Sequence, residues 1–106
     1  MENKTIDILG TEYIIRYEKI SDCDGYCDKT TKEIVVMIKD DKCNLGDFER
    51  YQKKVLRHEI IHAFMFESGL GENWEHKEYG QEETVVDWFA IQGLKIYKAW
   101  EKANCI

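Results

Sequence analysis

Proline is absent from all 106 residues. So are internal repeats, low-complexity runs and linker-like stretches, and one domain spanning residues 1–106 is the natural reading of the length. Positive charge is in deficit. Fifteen Lys+Arg against 21 Asp+Glu leave a net charge of −6. A sequence-independent nucleic-acid binder needs a basic footprint to release counterions, so no nucleic acid is expected as a partner. The same deficit argues against polybasic docking on an anionic membrane. No window approaches 18 consecutive apolar residues, so no membrane span is expected either. The N-terminal run Met1-Glu2-Asn3-Lys4-Thr5-Ile6-Asp7 lacks the apolar stretch of a signal peptide. A cytoplasmic protein is the expectation. In that compartment Cys23, Cys27, Cys43 and Cys105 read as reduced thiols rather than a disulfide framework. Cys23 and Cys27 stand four apart without a nearby partner pair, which is a weak signal for a second metal site.

What is present is core-forming material. The chain is 43% hydrophobic and 12% aromatic, too apolar for a disordered tail. Residues 6 to 38 have the texture of strands. Ile6 to Leu9 is a short apolar run punctuated by Gly10-Thr11. Tyr13, Ile15 and Tyr17 then alternate with Ile14, Arg16 and Glu18, a period of two. Asp28-Lys29-Thr30-Thr31-Lys32 has the composition to close a hairpin into Glu33 to Ile38, which is rich in β-formers.

The second half is helical. Asp47 is placed to cap a helix that runs from Phe48 to Ser68 and stops at Gly69 and Gly71. A polar loop follows, and a second helix is expected from about Gln81 to Asn104. Its apolar positions Val85, Trp88/Phe89, Ile91, Leu94, Ile96/Tyr97 and Trp100 suit a buried stripe. Strands first and helices second predict an α+β fold, an N-terminal antiparallel sheet packed on two C-terminal helices.

The informative residues are His58-Glu59-Ile60-Ile61-His62, an H-E-x-x-H pattern within the first helix. Positions i and i+4 lie one turn apart on one face, about 6 Å along the axis. Two imidazoles there can converge on one zinc ion, with Glu59 close enough to reach a water beside it. A catalytic zinc normally takes three protein ligands. The extended three-histidine pattern fails, because Ser68 and Met65 stand where its histidine and glycine belong. Glu83, at the start of the second helix, is the better third ligand. Asp87 follows it at i+4 and can hold the free ring N–H of His58. His76, in the loop between the helices, is the rival ligand. It is followed by Lys77, where the glycine of that alternative pattern is expected.

His58 to His62 with Glu83 to Asp87 resembles the gluzincin zinc peptidases. The wider text, Gly25-Tyr26-Cys27-Asp28, Lys32 to Val36, Leu56 to Phe64 and Val86 to Ala90, is similar to small phage- or prophage-encoded metallopeptidase-like proteins of the ImmA/IrrE peptidase type. The resemblance covers about Leu9 to Trp100. It implies a minimal zincin core and a Zn2+-dependent hydrolysis of peptide bonds through a metal-activated water, with Glu59 as the base. It further implies a peptide or protein substrate and a phage or host regulatory protein as partner. Tyr79, His76 and Tyr26 are each candidate oxyanion donors. Glu33 to Ile38 is the strand expected to pair with extended substrate. The alternative is a non-catalytic, zinc-stabilised domain that binds a protein partner.

Overall fold

A computed structural model describes residues 3–20, 23–38, 46–69 and 83–106. The elements in chain order are β1 (Lys4–Ile8), β2 (Thr11–Glu18), β3 (Gly25–Asp28), β4 (Glu33–Met37), α1 (Phe48–Glu67) and α2 (Glu83–Lys102). The arrangement is α+β, a sheet followed by two helices.

Two hairpins build the sheet. Ile8 pairs with Thr11, so Leu9 and Gly10 alone form the first turn. Both have positive φ, 51° and 92°, as a two-residue type I′ turn requires. Glycine meets that demand freely. Leu9 does so at a cost of about 1–2 kcal/mol, offset by packing its side chain against the core. In the second hairpin, Asp28 Oδ1 accepts hydrogen bonds from the Thr30 amide at 2.9 Å and the Thr30 hydroxyl at 2.6 Å. That local bonding is the turn chemistry expected of aspartate.

The strand order is β1-β2-β4-β3. Both hairpins are antiparallel, but β2 and β4 pair in parallel, so the sheet is mixed where an antiparallel one was expected. The reason lies in β4. Ile34, Val35 and Val36 are all fully buried, which suits a strand covered on both faces. The chain leaves β2, passes the position next to it, and lays down β3. The hairpin then returns β4 into the vacant central slot. Met37 N–H donates to the Asp24 carbonyl at 2.9 Å and Ile38 N–H to the Glu18 carbonyl at 3.1 Å, sealing the end of that slot.

Asp47 caps α1, its Oδ1 accepting from the Arg50 amide at 3.1 Å. Past the last helical residue, Gly69 takes φ 87° and its N–H donates to the Phe66 carbonyl at 3.3 Å. α2 ends in the same manner with an asparagine. Asn104 has φ 57°, and the amides of Asn104 and Cys105 reach back to the Glu101 and Trp100 carbonyls, a Schellman-type stop.

The core joins Ile6, Ile8, Tyr13, Ile15, Ile34 and Val36 of the sheet to Val55, Leu56, Ile60, Ala63 and Phe64 of α1. α2 contributes Ile96 and Ala99, with Trp88 and Trp100 partly buried against them. The broad stripe expected on α2 is narrower than predicted. Phe89, Ile91, Leu94 and Tyr97 are 48%, 69%, 77% and 51% exposed. Ile96, Ala99 and Ala103 follow an i, i+3, i+7 line; Ile91, Leu94 and Tyr97 fall outside that arc of the helix, whereas Phe89 lies on it, seven residues before Ile96, and is exposed nearer the start of the helix. Among the described residues, no helix is long and apolar enough to cross a membrane.

Glu67, at the end of α1, ties the helix to the sheet. Its carboxylate accepts from Thr11 Oγ1 at 2.9 Å, Tyr13 OH at 2.7 Å and Lys32 Nζ at 2.7 Å. Burial pushes the carboxyl up, but the bonds from Lys32, Tyr13 and Thr11 outweigh it and hold the group below its ordinary value. A carboxyl lowered in the folded state contributes stability that is complete above its unfolded value near 4.5. That stability is lost as pH falls through the folded value. Glu67→Gln is therefore expected to cost about 1–3 kcal/mol at neutral pH. Thermal melts from pH 7 to 3 should show a shallower acid loss in the variant than in the wild type.

Candidate metal centre

The buried side of α1 sets how the helix is rotated. With Val55, Leu56, Ile60, Ala63 and Phe64 turned into the core, His58 falls on the exposed side and His62 is half-buried. Their Nε2 atoms lie 3.1 Å apart, with ring centroids at 4.8 Å and planes at 70°. Two nitrogens each about 2.0–2.1 Å from a tetrahedral zinc would be roughly 3.3–3.4 Å apart. The observed separation is a few tenths of an ångström shorter than that and lies within hydrogen-bond distance. His62 also stacks on Phe66, centroids at 6.2 Å. Burial, and next the neighbouring His58, lower its pKa. A lowered value favours the neutral ring, the form that binds metal.

Glu59 is only 7% exposed. Burial raises its carboxyl above the ordinary range, with the His58 charge acting in the opposite sense. It faces β3, and the contact depends on a glycine. A Cβ placed on Gly25 would stand 2.8 Å from Val55 Cγ1, 2.9 Å from the Val35 carbonyl oxygen and 3.5 Å from Glu59 Cγ. Only a residue without a side chain lets the strand approach α1 this closely. The gap that remains is a cleft of about 240 Å³ lined by Asp24, Gly25, Tyr51, Lys54, Val55, His58 and Glu59.

Tyr51 and Lys54 are donors in this cleft that the sequence reading passed over. The signal was available, since Lys54, His58 and His62 recur every four residues along α1. The Tyr51 hydroxyl donates to the Asp24 carboxylate, which fixes the ring across the cleft. Cys27 shares a face of β3 with Gly25. Burial, and next the negative charge of Glu59, push its thiol up to about 12, so it stays protonated. Cys23, Cys27 and Cys105 are free thiols, as expected, and Cys43 lies outside the described residues.

Two expectations are corrected. Tyr26 alternates with Gly25 and Cys27 along β3 and so points to the opposite face of the sheet. Its cross-strand neighbour there is Val35, which in turn pairs with Arg16. It is turned away from Glu59 and does not join the cleft as an oxyanion donor. The strand expected to run along the cleft, Glu33 to Ile38, is paired on both sides by β2 and β3. Its ladder is full. The edge strand beside α1 is β3.

Glu83 and Asp87 belong to α2, but their side chains, with His76 and Tyr79, lie outside the described part of the structure. Among the described residues, no group of three His, Cys, Asp or Glu side chains is gathered as a metal would need. The start of α2 is nevertheless tied to the end of α1. Trp88 Nε1 donates to Ser68 Oγ at 2.7 Å, a bond between two residues that the sequence reading took for packing and a helix end.

Comparison with protein-family models, with curated proteins and with solved structures finds no match to this chain.

The Gly25 contact can be tested directly. Gly25→Ala should force β3 and α1 apart and cost about 1–3 kcal/mol, read as a lowered melting temperature. Gly46→Ala, which meets nothing within 4 Å, should leave the melt within about 0.5 kcal/mol of wild type.

Proposed function

We propose that this protein is a zinc-dependent peptidase that hydrolyses peptide bonds, with His58, His62 and Glu83 as metal ligands and Glu59 as the catalytic base. The observation that carries the reading is the convergence of the two histidine nitrogens at 3.1 Å beside a buried glutamate. Glu83 is assigned by its position at the start of α2 and by the need for a third ligand. Asp87, one turn further on, would orient His58.

A bound Zn2+ supplies Lewis acidity at the scissile carbonyl and a water that loses its proton near neutral pH. The protein's own residues do the rest. Glu59 accepts the water proton and returns it to the leaving amine. Its raised pKa brings proton affinity closer to the working pH than that of an exposed carboxylate. The outer edge of β3, unpaired among the described residues, offers backbone donors and acceptors to an extended peptide, which would lie along the cleft as an added strand. Lys54 lines the same cleft and is the cation available to a developing oxyanion, while the Tyr51 hydroxyl is taken up by Asp24. The partner class that follows is a peptide or protein substrate, with a phage or host regulatory protein as the natural target.

A second reading, a zinc-stabilised domain that binds a protein without cutting it, is favoured by one observation. Tyr26, one of the three expected oxyanion donors, faces away from the cleft. Zinc analysis and a peptide-library digest separate the two. Protein purified without chelator should carry about one equivalent of zinc, and His62→Ala or Glu83→Ala should lose it. Chelation should lower the melting temperature through binding linkage. Glu59→Gln should keep its zinc and lose cleavage by about 100-fold or more. Zinc retained with no peptide cut by the wild type would support the binding domain. Less than half an equivalent of zinc, unchanged in Glu83→Ala, would sink both.

A further inference from the structure

A groove of about 470 Å³ runs between β1 and α2, on the far side of α1 from the histidine pair. Phe64, which lines it, stands two residues from His62, about 200° around the helix. Ile6, Phe64 and Ala99 supply apolar lining. One wall is basic, formed by Lys95, Lys98 and Lys102 at spacings of three and four. All three are exposed, and no carboxylate among the described residues pairs with them. The opposite wall carries two acids, Glu12 and the exposed Asp7, the latter also accepting the Gly10 amide at 3.3 Å. Above the lysines the stripe continues as Ile91 and Leu94, one turn before Lys95 and Lys98, at 69% and 77% exposure.

We propose that this groove docks an acidic, apolar segment of a partner protein. The charge argument is specific. In a chain of net charge −6, three lysines in one row, none paired with a carboxylate among the described residues, form a basic wall that outnumbers Asp7 and Glu12 across the groove and orients an anionic partner against α2. The two exposed aliphatic side chains beside them, and the apolar lining below, give that partner somewhere to bury its own apolar residues. A second copy of this chain fits poorly. A symmetric dimer sets the same patch against itself and so lysines against lysines. Nucleic acid fits poorly too, because three lysines on a chain of net charge −6 neutralise few phosphates and release few counterions. The docking is independent of the histidine pair, since groove and histidines lie on opposite sides of α1.

The test is selection of 16-residue peptides from a displayed random library on the intact wild-type protein, counter-selected on Lys95→Glu/Lys98→Glu/Lys102→Glu. Enriched peptides are expected to combine net negative charge with two or more large apolar residues. They should shift amide resonances of β1 and α2, bind at least tenfold more weakly to the charge-reversed protein, and bind normally to His62→Ala. Enrichment without acidic bias, equal enrichment on the charge-reversed variant, or shifts confined to β3 and the N-terminal half of α1 would overturn the proposal. So would tighter binding of phosphatidylserine vesicles or a 20-base-pair DNA duplex than of any selected peptide. Should the triple variant fail to fold, Lys98→Gln and Leu94→Ser carry the same comparison, each expected to weaken binding several-fold.

Discussion

Everything at the candidate metal centre depends on how far α1 is rotated about its own axis. A helix that buries five apolar residues against a sheet has little freedom to turn, because each would leave a cavity or a clash. Once that face is set, His58 and His62 are carried to the edge of the sheet and Glu59 is held at the boundary between core and cleft. Burial of the glutamate, the lowered pKa of His62 and convergence of the two rings are consequences of one packing decision made by residues that have no chemistry of their own.

Both ends of α1 defend that setting. At its N-terminal end the Tyr51 hydroxyl reaches the loop before β3, and the Gln52 amide donates to the Met37 carbonyl at 2.9 Å. At its C-terminal end Glu67 gathers donors from β2 and from the turn before β4, while Ser68 receives Trp88. Arg57 adds a hydrogen bond to the Cys105 carbonyl at 2.6 Å, tying the middle of the helix to the tail after α2. The polar contacts are spread along the helix, so no single loss frees it.

Much of this was legible in the residues, and the exceptions have a common cause. The bounds of α1 are written locally, in Asp47, Gly69 and the apolar period between them. The two hairpins are local as well, in Gly10 and in Asp28 with Thr30. The α+β order and the free thiols followed from the same kind of reading. What was not legible depends on which elements become neighbours. Residues 33–37 and their strand-forming composition are obvious, but whether that strand ends a sheet or sits within it is decided by where β3 lands. Gly25 reads as one more turn former until Val55 is brought against it. Thr11, Tyr13, Lys32 and Glu67 are scattered over 56 positions and meet only in the folded chain. On α2, hydrophobic character was mistaken for burial, because Ile91 and Leu94 look no different in sequence from Ile96.

The central position of β4 has a consequence for assembly. Among the described residues β3 pairs with β4 alone, so the strand that walls the cleft joins the sheet through the second hairpin. A local hairpin forms quickly, whereas the parallel seam with β2 must close a longer stretch of chain first. The cleft is tethered to the rest of the sheet by that seam. Losing it would remove β3 and β4 together, and because Ile34 and Val36 are core residues packed with α1, the wall of the cleft cannot come away while the core stays intact. Cleft and core therefore stand or fall as one cooperative unit.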